Sequence, residues 1–141
     1  MASLTYNSFK KDLLEGAIDL ENDAVTVALV KAAYTPDQDA HTVFDDITDE
    51  ASGTGYVAGG KALANSTVTQ DDTYNQGTWD ADDVAWTVSS VTAGGAVLYV
   101  DSGDPETSPL IHYYDFGEER TTGGTTFSIE WPANGILQAW P

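Results

Sequence analysis

The residues GYVAGGKA, Gly55–Ala62, carry the pattern G-x-x-x-x-G-K, the glycine–lysine spacing of a loop that cradles phosphates. Such a loop needs Ser or Thr after the lysine to hold magnesium, and this chain has Ala62. It also needs an apolar strand before it and a helix after it. The helix N-terminus supplies N–H groups and the positive end of a dipole to the phosphates. Here the preceding DDITDEAS places acids where phosphate charge would sit, and the following ALANSTVTQDD does not read as a helix. The spacing is therefore read as coincidence. The glycines are expected to permit positive φ at the start or bend of a strand, and Lys61 to pair locally in an acidic surface.

Asp80, Asp82 and Asp83, in WDADDVAW, are the candidate ligands for calcium or sodium, since calcium takes clustered carboxylates, carbonyls and water. Their spacing lacks the glycine and distal glutamate of an EF-hand loop. The two histidines are His41, in a long loop, and His112, on a strand. Neither a G-x-S-x-G elbow nor an H-E-x-x-H helix is present. A pair of carboxylates suffices for glycoside hydrolysis, but composition singles out no pair among 23 acids. The expectation is a protein that is not an enzyme and has no cofactor beyond such an ion. The aromatics could build a sugar platform, a core or a subunit interface. Trp86 and Trp131 read as core. Trp79 and Trp140 lie at edges, and Trp140, with Pro141, reads as an interface anchor.

Strands must position these side chains. Residues 8–16, SFKKDLLEG, read as one short helix with Phe9, Leu13 and Ala17 on a face, Asn7 or Ser8 as cap and Gly16 as stop. AVTVALVKAAY (24–34) is apolar on both faces, as in a central strand. Residues 35–55 form a long polar excursion with a helical turn around Val43–Ile47. A loop of that length marks function or an interface. KALANSTVTQ (61–70) is a weak strand. DVAWTVSSV (83–91) alternates Val84, Trp86 and Val88 against Ala85, Thr87 and Ser89, and GAVLYV (95–100) is a separate buried strand. After a polar loop, DSGDPETSP (101–109), come PLIHYYDF (109–116) and TTFSIEW (125–131), with Gly123–Gly124 between them as a hairpin signal. GILQAW (135–140) closes the chain. The pattern predicts one all-β domain over 1–141, an antiparallel sandwich, jelly-roll-like, with one short N-terminal helix.

Charge narrows the partners. Twenty-three acids, sixteen of them Asp, stand against five bases for a net −18. Nucleic acid and anionic membrane are poor partners, because affinity there comes from Lys and Arg. Fifteen aromatics and many Val and Ile argue against disorder. No stretch has the length of a membrane span or a signal peptide, so a soluble or assembled protein is expected. Acidic surfaces with scarce Lys also suit high salt, where screening mutes self-repulsion. No cysteine is present, which removes disulfides and thiolate chemistry.

Taken end to end, the chain resembles a family of small virion structural proteins of tailed viruses. The likeness is carried by LTYNSFKKDLLEGAIDLEND, VTVALVKAAYTPDQDAH, SGTGYVAGGKALA, DADDVAW, GAVLYVD, SPLIHYYDFGE and GTTFSIEWPANGIL. It implies a capsid decoration or turret protein on the virion head, assembled in the host cytoplasm and bound to the major capsid protein or other virion proteins. It further implies self-association as a homo-trimer or homo-pentamer. With the acidity, the source implied is a virus of a salt-loving archaeon. A tail or baseplate component, or a module binding a host receptor or glycan, is the alternative. The interface candidates are Lys10, Lys11, Phe44 and Trp140, with the loops 35–55 and 101–109.

Overall fold

A computed structural model describes residues 2–140. The strands are β1 (Leu4–Thr5), β2 (Val25–Val30), β3 (Gly53–Thr54), β4 (Lys61–Ala62), β5 (Thr67–Asp71), β6 (Gln76–Asp80), β7 (Val84–Val100), β8 (Leu110–Thr121), β9 (Thr125–Ile129) and β10 (Leu137–Ala139). One helix, α1 (Asn7–Leu14), follows β1, and short 3-10 turns occupy Phe44–Asp46 and Pro105–Thr107. The all-β class, the antiparallel pairing and the single N-terminal helix agree with expectation.

The larger sheet runs β1-β8-β7-β2-β4, with β3 and β9 also paired to β7. β2 reads VTVALV, and all of its residues are buried. It pairs with β7 from Val25↔Val100 to Val30↔Gly95. Alternation along β2 sends Val25, Val27 and Leu29 into one core and Ala28 and Val30 into another. That is why both of its faces had to be apolar. The first core is closed by α1, through Phe9, and by a three-stranded sheet, β10-β6-β5, through Trp79. The second is closed by Tyr6, Tyr34 and Ile47. The domain is a sandwich-like stack whose second layer is the small sheet plus the helix.

β7 departs from the expected pattern. The two strands read at 83–91 and 95–100 are one strand of 17 residues. Val84 and Trp86 face the core, but Val88 is 71% exposed and Ser89 is buried. The phase flips at a bulge between Trp86 and Ser89, where Val88 takes φ +51. The inward placing expected of Val88 is thereby corrected.

Gly123–Gly124 does not turn a hairpin. β8 and β9 are both antiparallel to β7, with Leu110↔Tyr99 and Thr121↔Thr92 followed by Thr125↔Ser89 and Ile129↔Val84. They run in tandem along one partner. Residues 122–124 bridge them, the Thr122 and Gly124 amides donating to the Val91 and Ser89 carbonyls at 3.0 and 2.8 Å. The alternation read in TTFSIEW holds, with Phe127, Ile129 and Trp131 buried.

α1 is bounded differently from its reading. Tyr6, extended at φ −67 and ψ 141, is its N-cap and makes no side-chain cap, so neither Asn7 nor Ser8 serves. The Ser8 hydroxyl is buried without a hydrogen-bond partner. Phe9 is buried and Leu13 packs against the core, whereas Ala17 lies beyond the helix end and is exposed. Gly16 ends the helix at φ +74, as expected.

Candidate functional site

An apolar groove of about 780 Å³ opens between α1 and the small sheet. Helical spacing places Phe9 and Leu13 on one wall, and Ile18 and Leu20 continue it. Val68 of β5, Trp79 of β6, and Leu137 and Ala139 of β10 form the other. Phe9 and Trp79 are nearly fully buried at its base, while Leu14, Val68 and Trp140 stand 74%, 49% and 66% exposed around it. β10 delivers Trp140 there: its last pair is Ala139↔Gly77, after which Trp140 turns at φ +51. Lys10 lines the groove too, and its Nζ donates to the Asn7 side-chain oxygen at 3.3 Å.

Two of the four interface candidates, Lys10 and Trp140, therefore share one site. Lys11 lies outside the lining and pairs with Glu15 at 3.1 Å along the helix. Phe44 packs against the second core, where its ring stacks on Tyr99 with centroids 4.1 Å apart at 16°. The two candidate loops are tied to each other: the Phe44 amide donates to the Ser108 carbonyl at 2.9 Å, and Val43 bridges to Pro109. Pro141 lies outside the described residues. Leu14 and Val68 went unread as site residues. The exposed Leu beside Phe9 and Leu13 was a signal for the first. For Val68, the one weak strand expected over 61–70 is instead two, β4 in the larger sheet and β5 in the small one, and the pairing of β5 with β6 is what places it.

The three aspartates go to three different partners. Asp80 accepts from the Ala81 amide at 2.9 Å, Asp82 from the Asn65 side-chain amide at 2.6 Å, and Asp83 from the Trp131 amide at 2.9 Å. Among the described residues no three acidic or imidazole groups converge on a point that could hold a metal ion.

The glycine-rich stretch is structural. Gly55, Gly59 and Gly60 take φ of +81, +93 and +84, and the chain enters strand β4 at Lys61 where a phosphate loop would open a helix. Glu50 receives the Tyr56 hydroxyl at 2.7 Å and the Gly59 amide at 2.6 Å. Lys61 lies over the Trp86 ring, 5.7 Å from its centroid, and donates to the Ala85 carbonyl.

Both histidines sit in hydrogen-bonded positions. His41 Nδ1 meets the Tyr34 hydroxyl at 2.9 Å, and that hydroxyl meets the Tyr6 hydroxyl at 2.7 Å. Burial pushes Tyr34 up to about 12 and Tyr6 higher still, so both phenols stay protonated. His112 Nδ1 lies 2.9 Å from Thr5 Oγ1, and burial lowers its imidazole to about 4. These contacts tie β1 and the start of α1 to the sheet and to the loop after β2.

Comparison with protein-family models, with curated proteins and with solved structures found no match.

Proposed function

We propose that this chain is a virion structural protein, a capsid decoration or turret protein that binds the head shell and associates with copies of itself. The observation that carries the reading is the open apolar groove between α1 and the small sheet, ringed by Leu14, Val68 and Trp140. Apolar side chains left in water on so acidic a chain favour a surface that another protein covers. Nothing in that role requires bond-making chemistry. What it requires is a stiff domain with an adhesive face, which the paired sheets and two cores supply. The resemblance to small virion proteins supplies the particle, and the net charge of −18 fits the surface of a virus from a saline host.

Cryo-electron microscopy of the intact particle tests the assignment. Density for this fold on the head shell, at symmetry-related positions, is the expected result. Density confined to the tail or baseplate would reject the head assignment in favour of a tail or receptor-binding component.

A further inference from the structure

We propose that the groove receives the tip of the β5–β6 hairpin of a second copy of this chain, with Tyr74 seated on its apolar floor and Asp72 facing Lys10. The inference deepens the self-association proposed above and rests on it.

Both halves of the contact are present on one molecule. Six large apolar side chains stand exposed among the described residues. Leu14, Val68 and Trp140 line the groove, and Tyr74, 67% exposed, caps the hairpin tip. The remaining two, Val57 and Val88, have no acidic residue within three positions, whereas Tyr74 follows Asp71-Asp72-Thr73. Charge therefore separates the candidates. Lys10 lines the groove together with one acid, Asp19, whose carboxylate is taken up by the Glu21 and Asn22 amides and the Asn22 side chain, and Lys10 is one of five cations on a chain of net charge −18. An acidic tip carrying an aromatic ring complements an apolar groove with a cation on its wall.

The tip is built to be a rigid knob. Asp71 Oδ1 accepts from the Thr73 and Tyr74 amides at 3.0 and 3.2 Å, Asn75 takes φ +56, and Asp71↔Gln76 closes the strand pairing. Ordering cost on docking is correspondingly small. The hairpin contributes Val68, Gly77 and Thr78 to the wall of its own groove, but its tip residues Asp72 and Tyr74 lie outside that lining. Knob and groove are different surfaces, so the contact is head-to-tail and closes as a ring when the rotation per subunit permits.

Sedimentation equilibrium and native mass spectrometry of the full chain test the contact. A concentration-dependent closed oligomer is expected for the parent protein. Lys10→Glu and Asp72→Lys should each weaken association roughly three- to tenfold, and the two together should restore it. Tyr74→Ala should weaken it about thirtyfold or more. Rising salt should erase the charge effects and leave the Tyr74 effect. Unchanged thermal melts would show that the variants fold. A parent protein that stays monomeric up to its solubility limit overturns the contact, as does an oligomer indifferent to all three substitutions. Neither result bears on whether the protein lies on head or tail, which particle imaging decides separately.

Discussion

Gly60 lies against the backbone of Val27 so closely that an added Cβ would stand 1.9 Å from the Val27 carbonyl oxygen and 2.7 Å from the Ala28 Cα. β2 is buried along its whole length, so it has no room to retreat. Gly60→Ala should therefore cost about 3 kcal/mol or more, by backbone collision added to left-handed strain. Gly16→Ala is the control. Its φ is +74 but open space surrounds it, so about 1 kcal/mol is expected there. Denaturant titration of both variants gives the comparison, and equal losses would remove the collision from the account.

Val88 sits at φ +51 with its side chain 71% exposed. A β-branched residue in that region carries strain of roughly 1–3 kcal/mol, and little burial offsets it. Val88→Gly should raise stability by about 1 kcal/mol once the greater freedom of glycine in the unfolded chain is counted. A lower melting temperature for the variant would show that Val88 makes contacts worth more than the strain.

Burial holds His112 at about 4 in the fold, against an ordinary imidazole near 6.5. The unfolded chain thus takes up its proton first as pH falls. The stabilising term is full above about pH 6.5 and is lost between there and about pH 4, up to roughly 3 kcal/mol. His112→Gln should flatten that part of the stability profile. Because the many carboxylates also titrate, the informative quantity is the difference between parent and variant, measured by chemical denaturation across the window. A difference constant with pH would contradict the burial of the ring.

Arg120 joins β8 to β9. Its guanidinium carbon lies 4.9 Å from the Phe116 ring centroid and 4.7 Å from that of Phe127, and Nη2 donates to the Ser128 carbonyl at 2.7 Å. Arg120→Lys keeps the charge but loses the plane that stacks and the fixed fork of donors. A loss of about 1–2 kcal/mol is expected, with faster amide exchange in β9. Unchanged exchange there would mean that pairing with β7 alone holds the strand.

Much of this arrangement could be read from residue order, where a single local pattern decided the outcome. β2 was legible because burial on both faces demands an unbroken apolar run, and Phe127, Ile129 and Trp131 because one-sided burial demands alternation. β7 was misread because a bulge inverts its alternation at Val88, and the glycines after it resembled a break. Gly123–Gly124 was misread because the dipeptide signals a turn, while tandem pairing to one long partner leaves no local trace. Lys10 and Trp140 were read separately, from charge scarcity and from an aromatic at the chain end. Their meeting in one groove depends on β10 pairing with β6, a contact between Leu137 and Trp79 that no window of sequence contains.

The length of β7 has a consequence for how the protein is made. Its partners β8 and β9 leave the ribosome after it, and the outermost pairs, Leu4↔Tyr113 and Val84↔Ile129, join segments far apart in the chain. Before those partners emerge, the edge of β7 they cover and both hydrophobic layers lie open to water and to neighbouring nascent chains. Closure must wait until β8 and β9 are translated, and the many distant pairings make it slow. Until β8 and β9 arrive, that open edge is a surface on which two unfinished chains can pair with each other.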